Sequence, residues 1–136
     1  MSNKTKIAVT MATVISLGGL AWTQNREGTV LKPYYDSVKV ATIGTGTTVY
    51  PNGKTVKITD PPITKKQAAE YLQFHMNKDA KIFNKTLIGI PLSQVEYDLY
   101  MDFTYQFGTG AWSQSSMLRN LKSRNYVQAC KSLLKW

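Results

Sequence analysis

Gly28 marks a change of pattern that constrains the fold more than any other feature of this chain. The residues before it suit a helix, and glycine just beyond a helix end accepts the left-handed backbone that stops one. Alternating and β-branched residues follow, which is typical of strands. We expect strands near residues 33–38, 41–49 and 54–59, with a hairpin turn at Pro51-Asn52-Gly53 between the last two. The pattern predicts a helix followed by a small three-stranded antiparallel sheet.

Two capping boxes mark the starts of the longer helices. Thr64 has Gln67 three residues later, and Ser93 has Glu96 at the same spacing. The predicted helices cover residues 65–84, 93 to the Gly108/Gly110 pair, 115–123 and 125–135. Apolar residues at helical spacing, expected to face inward, are Ala68, Ala69, Leu72, Met76 and Phe83 in the first helix and Val95, Leu99, Phe103 and Phe107 in the second. This order of elements argues for an α+β fold, with a cleft between a sheet lobe and a helical lobe as the natural ligand site.

Two carboxylates and a hydroxyl lie on neighbouring predicted elements. Glu27 ends the first helix, Asp36 follows on an extended segment, and Thr42 comes six residues later. Acids that face each other across a cleft suit the hydrolysis of a sugar–sugar bond, where one donates a proton and the other manages water. Spacing alone leaves other roles open: a solvated glutamate, an aspartate that caps a turn, and an ordinary strand threonine.

The chain is strongly basic, with 17 Lys and Arg against 8 Asp and Glu, and a net charge of +9. This charge indicates an anionic partner such as nucleic acid, anionic lipid or the bacterial cell wall. The lysines are dispersed rather than gathered in a stripe with aromatic residues, which argues against nucleic acid. We expect one domain, large enough to bury a core without disulfides.

Cysteine and histidine usage argues against a metal site. The chain has one cysteine, Cys130, which we expect on a buried helical face, although an intermolecular bridge is the alternative. His75 is the one histidine, and no cluster has the ligand spacing of zinc or calcium. We therefore expect neither a metal nor another cofactor. The three tryptophans, Trp22, Trp112 and Trp136, are expected in the core, with stacking on sugar rings as the alternative.

Two ordered motifs resemble a known family. The first comprises Glu27-Gly28, Tyr34-Tyr35-Asp36 and Thr42-Ile43-Gly44-Thr45-Gly46. The second runs from Phe103 to Trp112, with Ser115-Ser116-Met117-Leu118 after it. They are similar to the active-site and central-helix motifs of phage-type lysozymes, the endolysins of glycoside hydrolase family 24. The resemblance covers residues 24 to 136 and implies a lysozyme-like fold.

The resemblance also implies roles for individual residues. Glu27 would be the general acid, held neutral by desolvation, so that Arg26 should point away from it. Asp36 and Thr42 would hold and orient the attacking water in an inverting reaction. Gln106, Gly44 and Tyr35 would bind substrate, with a helix-capping role as the alternative for Gln106. Gly44 and Gly46 lie within a predicted strand, where a glycine often marks a place that a ligand or another backbone approaches closely.

The N-terminal segment has the pattern of an export signal. Lys4 and Lys6 precede a mostly apolar run over residues 7–22, slightly short for a membrane span of about twenty residues. This segment could be a cleaved signal peptide, a permanent membrane anchor, or a weak anchor that later leaves the membrane, as in signal-arrest-release endolysins. The remaining alternative is that it forms the first helix of the domain. Because Glu27 follows so closely, cleavage near Ala21 would leave little helix to seat it, which favours release. We divide the chain into this segment, residues 1–23, and a catalytic domain, residues 24–136.

Three departures from the family pattern are visible. Lys39 and Thr47 stand where a glycine and a histidine are usual, which predicts a strained turn and a lost bracing interaction. The family also continues beyond the position of Trp136, so we expect an apolar surface around Cys130, Leu133 and Leu134.

Together these features predict a monomeric endolysin, exported to the periplasm and cell wall and transiently tethered to the inner membrane. It would cleave the β-1,4 bond between N-acetylmuramic acid and N-acetylglucosamine in peptidoglycan. A catalytically impaired wall-binding remnant and a membrane-perturbing cationic segment are the alternatives.

Overall fold

A computed structural model describes residues 5–136. Its helices and strands, in chain order, are β1 (Ile7–Ala8), α1 (Leu17–Glu27), β2 (Val30–Tyr35), β3 (Ala41–Gly44), α2 (Lys65–Leu87), β4 (Pro91–Leu92), α3 (Gln94–Phe107), α4 (Thr109–Ser113), α5 (Ser116–Lys122) and α6 (Tyr126–Leu133). The chain divides into two compact units. The sheet unit is Leu17–Asn77, and the helical unit combines residues 5–16 with Lys78–Trp136. This mixture of helices and small antiparallel sheets confirms the predicted α+β class.

The sheet unit begins with the predicted helix, which ends at Glu27. Gly28 follows with φ +80°, and its amide donates to the carbonyl of Gln24 at 2.8 Å, as a helix-ending glycine should. The chain then enters the β2–β3 hairpin, in which Tyr34 lies opposite Thr42. α1 therefore leads into the hairpin through a single sharp turn.

The prediction of a third strand over residues 54–59 was wrong, because the sheet has two strands, β2 and β3. The turn at Pro51-Asn52-Gly53 is present, but its two arms are joined by one isolated bridge between Val49 and Thr55. Residues 57–60 instead fold locally. The Lys57 amide donates to the Asp60 side chain at 2.9 Å, and the Asp60 amide donates back to the Lys57 carbonyl at 2.9 Å. These amides are therefore not available to a sheet ladder.

α2 begins where its capping box predicts and ends three residues later than expected, at Leu87. The Thr64 amide donates to Gln67 Oε1 at 2.9 Å, and the Gln67 amide donates to Thr64 Oγ1 at 3.1 Å. Four of the five expected core residues are fully buried and Ala69 is half-buried; the buried ones are Ala68, Leu72, Met76 and Phe83.

The core of the helical unit forms around Trp112, which is completely buried against Phe83 and Tyr100. The capping box of α3 at Ser93 and Glu96 is present as predicted. The predicted inward face was partly wrong, because Val95 and Phe107 are 54% and 41% exposed. The buried face of α3 combines the predicted Phe103 with Tyr97, Tyr100 and Met101. Tyrosine tolerates this burial where its hydroxyl has a partner, as Tyr97 has in Asn84 at 2.8 Å.

Cys130 is exposed, so the prediction of a buried cysteine was wrong. α6 buries Ala129 and Ser132, which lie three residues apart on one face, and Cys130 is about 100° further round the helix. Leu134 is also exposed and Leu133 is half-buried. The expected apolar surface at this end of the chain is therefore present.

Residues 5–16 pack within the helical unit. β1 pairs antiparallel with β4, with Ile7 opposite Leu92. The Asn84 side chain donates to the Thr13 carbonyl at 2.8 Å, and the Ser16 amide donates to the Asp98 carboxylate at 3.0 Å. Within the described residues, no helix has both the length and the apolar character needed to cross a bilayer. The predicted boundary between an N-terminal segment, residues 1–23, and a catalytic domain, residues 24–136, falls within α1. The division of the chain at this boundary stays a prediction.

Candidate active site

Glu27 ends α1 beside a cation. Arg26 Nη1 lies 2.7 Å from Glu27 Oε1, so the prediction that Arg26 points away was wrong. The Glu27 side chain is 33% exposed, so the predicted desolvation of this carboxyl group is wrong. Its position as the last residue of a helix leaves no following turn to cover it. The carboxylate is thus held by an ion pair at a helix end.

Asp36 organises the turn of the β2–β3 hairpin. Its Oδ1 accepts hydrogen bonds from the amides of Val38 and Val40, both at 2.9 Å. Lys39, inside this turn, has φ +63°, which is the left-handed backbone that glycine adopts without strain. The predicted strain at Lys39 is therefore confirmed. Asp36 serves as a turn cap through one oxygen, and this leaves Oδ2 for another role.

Thr42 lies on β3 of the same hairpin and is 3% exposed. Its hydroxyl donates to the Val40 carbonyl at 2.9 Å. A hydroxyl has two acceptor lone pairs, so Thr42 Oγ1 still has the capacity to accept a hydrogen bond from a water or a sugar. One short hairpin therefore carries both the aspartate and the threonine of the predicted set.

The three predicted substrate-binding residues differ in their surroundings. Tyr35 is 58% exposed at the end of β2. Gly44 is buried with φ +66°, and a Cβ there would lie 3.4 Å from Ala68 Cβ and Ile63 Cδ1. Side chains from α2 and from the loop before it therefore pack closely against this glycine. Gln106 lies exposed in the helical unit near the end of α3.

The capping alternative for Gln106 is not realised by its side chain. The end of α3 is closed by the Gly108 amide, which donates to the Thr104 carbonyl at 2.8 Å.

Two of the three tryptophans that were predicted in the core are exposed, Trp22 at 62% and Trp136 at 58%. The prediction of a core tryptophan is therefore confirmed for Trp112 alone. In residues 5–136 no three His, Cys, Asp or Glu side chains group as metal ligands.

A pair of threonines close to Glu27 was missed by the sequence analysis. Thr29 Oγ1 lies 3.0 Å from Thr45 Oγ1, and the Ile63 amide donates to the Leu31 carbonyl at 2.8 Å. These contacts tie the chain just after Glu27 to the end of β3 and to the loop before α2. Threonine is so common in strands that no signal in the sequence marks this pair.

Comparisons with known proteins identify the family of this chain. The phage lysozyme family model matches residues 24–136. The endolysin of Salmonella phage P22 is 32% identical over 124 residues, which are 90% of this chain and 82% of that protein. The endolysin of Acyrthosiphon pisum secondary endosymbiont phage 1 is 30% identical, over 90% of this chain and 79% of that protein.

Solved structures give the same result. A crystal structure of a mutant P22 lysozyme superposes with a TM-score of 0.83 and 31% identity, covering 91% of this chain and 84% of that chain. The endolysin from Escherichia coli O157:H7 phage FAHEc1 has a TM-score of 0.84 and 32% identity, covering 92% and 77% of the two chains. This chain therefore belongs to the phage lysozyme family.

Proposed function

We propose that this lysozyme, a glycoside hydrolase that degrades peptidoglycan, uses Glu27 as its general acid and Asp36 with Thr42 to manage the attacking water. The bond cleaved is the β-1,4 link between N-acetylmuramic acid and N-acetylglucosamine. The observation that carries this proposal is the placement of Glu27 at the end of α1 and of Asp36 and Thr42 on the next hairpin. All three residues lie within residues 24–136, the range that the phage lysozyme family model matches, which supports the proposal.

Glu27 must be neutral when it protonates the leaving oxygen. Its ion pair with Arg26 is an arrangement of the charged carboxylate, so the guanidinium has to leave before the acid acts. A bound sugar beside Glu27 would exclude water and replace these contacts. The ion-paired glutamate is therefore assigned to the resting enzyme.

Asp36 and Thr42 have complementary capacities for holding a water. Because Asp36 Oδ1 is occupied by two backbone amides, Oδ2 is the oxygen assigned to accept the proton of the water. Thr42 Oγ1 donates to Val40 and accepts from the same water. Attack by a held water inverts the anomeric carbon, and inverting enzymes hold their two carboxyl groups roughly 6.5–9.5 Å apart. Tyr35 and Gln106, both exposed, are proposed to contact the saccharide.

The net charge supports action on the anionic wall, because it raises the local concentration of enzyme there. We assign the working location to the periplasm and cell wall, the active species to the monomer, and the N-terminal segment to a transient membrane tether. Residues 5–16 have a packed position in the helical unit, through the β1–β4 pair and Asn84. That position favours release of the segment over its cleavage.

Product analysis tests this function. Purified peptidoglycan is digested, and the fragments are examined by mass spectrometry and, for the anomeric proton, by NMR. We expect reducing ends on muramic acid, released first as the inverted α-anomer. Anhydro-muramic ends would contradict hydrolysis, and wall binding without any product would leave the remnant as the better description.

A further inference from the structure

A concave site lies in the sheet unit. It is a cavity of about 830 Å³, which is within the size range of small-ligand sites. The hairpin around Asn52, the turn that ends at Asp60 and the first turns of α2 form its walls. None of Glu27, Asp36 and Thr42 lines it. The cavity is therefore separate from the catalytic residues.

The floor of this site is fixed by hydrogen bonds. The Tyr50 hydroxyl donates to Asp60 Oδ2 at 2.8 Å, and the Lys57 amide donates to the same oxygen at 2.9 Å. The rings of Tyr50 and Tyr71 meet edge to face, with centroids 5.6 Å apart. Two tyrosine rings and a carboxylate thus have positions that are set before any ligand binds.

The surroundings of Tyr50 and Asp60 also fix the protonation states of these two side chains. Burial, together with the hydrogen bond to Asp60 and its charge, raises the pKa of Tyr50 to about 12. The amide of Lys57 and the hydroxyl of Tyr50 hold the pKa of Asp60 below its usual value. At neutral pH the site therefore presents a protonated phenol and an ionised aspartate. Within the described residues, Asp60 Oδ1 accepts no hydrogen bond and remains an acceptor for a ligand hydroxyl.

The rim of the site carries positive charge. Lys54 and Lys57 both line the cavity and are exposed, against the single carboxylate of Asp60. Aromatic faces pack against sugar rings, polar side chains bind hydroxyls, and lysines attract carboxylates. A single carboxylate cannot perform the two-acid hydrolysis of a glycosidic bond. The chemistry of the site is that of binding an acidic saccharide.

We propose that this cavity, lined by Tyr50, Tyr71, Asp60, Lys54 and Lys57, is a secondary binding site for a carboxylate-bearing glycan strand of the cell wall. It would hold the polymer at a distance from the cleaved bond and keep the enzyme on its substrate between cuts. The inference rests on the proposed function only in taking the wall glycan as the polymer.

Binding to purified peptidoglycan sacculi, measured by co-sedimentation, tests the site. The parent protein is the Glu27→Gln variant, so that the sacculi stay intact. We compare the double variant Lys54→Glu/Lys57→Glu with Lys122→Glu/Lys131→Glu, a pair of exposed lysines in the helical unit. Both doubles lower the net charge equally, so they separate the site from general attraction. Tyr71→Ala and Tyr71→Phe test the ring itself.

We expect the Lys54/Lys57 double variant to weaken binding about tenfold, while the control double changes it by less than about threefold. Tyr71→Ala should also weaken binding, and Tyr71→Phe should retain it because the ring is kept. Equal weakening by the two lysine pairs, or no weakening, would overturn the proposal. Because the parent does not need to cleave, these results do not depend on the product analysis, which tests the proposed function separately.

Discussion

Arg26 and Glu27 form an ion pair at the last turn of α1, with Nη1 and Oε1 2.7 Å apart. A neighbouring cation favours the charged form of a carboxylate, but protonation of the leaving group needs the neutral form. The two residues are adjacent in sequence, so the pair can form without any change in the hairpin that carries Asp36. With Glu27 in its proposed role as general acid, the ion pair opposes the first chemical step.

Removing the guanidinium should increase activity. Exposed ion pairs contribute about 0.2–1 kcal/mol, so Arg26→Gln is expected to raise the rate of wall clearing by up to about fivefold. Clearing of a peptidoglycan suspension at neutral pH measures this effect. Arg119→Gln, at an exposed arginine of the helical unit, is the control for lost charge. A large loss of activity confined to Arg26→Gln would mean that the guanidinium assists catalysis.

The left-handed backbone of Lys39 should be open to improvement. Glycine adopts φ +63° without the steric cost of a Cβ, so Lys39→Gly is expected to raise the free energy of unfolding by about 1 kcal/mol. Urea denaturation measures the change. Lys39→Ala keeps the Cβ and should give no such gain. Equal stabilisation by both substitutions would show that the lysine side chain, rather than its backbone, carries the cost.

Thr47 is 3% exposed, and its hydroxyl has no hydrogen-bond partner among the described residues. Valine has nearly the same shape, so Thr47→Val should raise the free energy of unfolding by about 1 kcal/mol. Thr104→Val is the matched control, because the buried Thr104 hydroxyl donates to the Tyr100 carbonyl at 2.8 Å. That substitution should lower stability by about 1 kcal/mol. Destabilisation by Thr47→Val would indicate that a bound water satisfies the hydroxyl.

Glu96 should make the helical unit sensitive to acid. Burial of its carboxylate opposes ionisation, but the hydrogen bonds from Lys6 and from the Ser93 amide outweigh it, so the pKa of Glu96 is lowered in the folded protein. A carboxyl group whose pKa is lower in the folded protein than in the unfolded protein stabilises the fold at pH values above its unfolded pKa. This stability is lost as the pH falls through its folded pKa.

The test compares wild type with Glu96→Gln by urea denaturation at pH 7 and at pH 3. The wild type should lose more stability on acidification than the variant, because the variant has no carboxylate to protonate at this position. Glu70→Gln, at an exposed carboxylate of α2 that lies 4.0 Å from the Lys66 amine, controls for the general effect of one fewer acid. Parallel pH profiles for wild type and Glu96→Gln would contradict the assignment.

Features set by local chemistry were predictable from the sequence. Thr64 with Gln67, and Ser93 with Glu96, began their helices as expected, because a capping box involves only residues within one turn. Gly28 ended α1 for the same kind of reason. Asp36 and Thr42, which belong to one sequence motif, likewise lie on one hairpin in the structure.

Features that depend on packing or on side-chain rotation were not predictable. The residues expected as a third strand fold around Asp60, and nothing in their β-branched pattern distinguishes the two outcomes. Cys130 has apolar neighbours in sequence but lies off the buried face of α6. The contact of Arg26 with Glu27 depends on a rotamer at a helix end, which sequence patterns do not specify.

The assignment of Glu27 is tested most directly by Glu27→Gln, with Glu70→Gln on the exposed side of α2 as the control. Clearing of a peptidoglycan suspension and sedimentation with the same material are measured side by side. We predict that Glu27→Gln slows clearing by about 10²- to 10⁴-fold and leaves binding unchanged, while Glu70→Gln behaves as wild type. Clearing by Glu27→Gln at the wild-type rate would contradict the account.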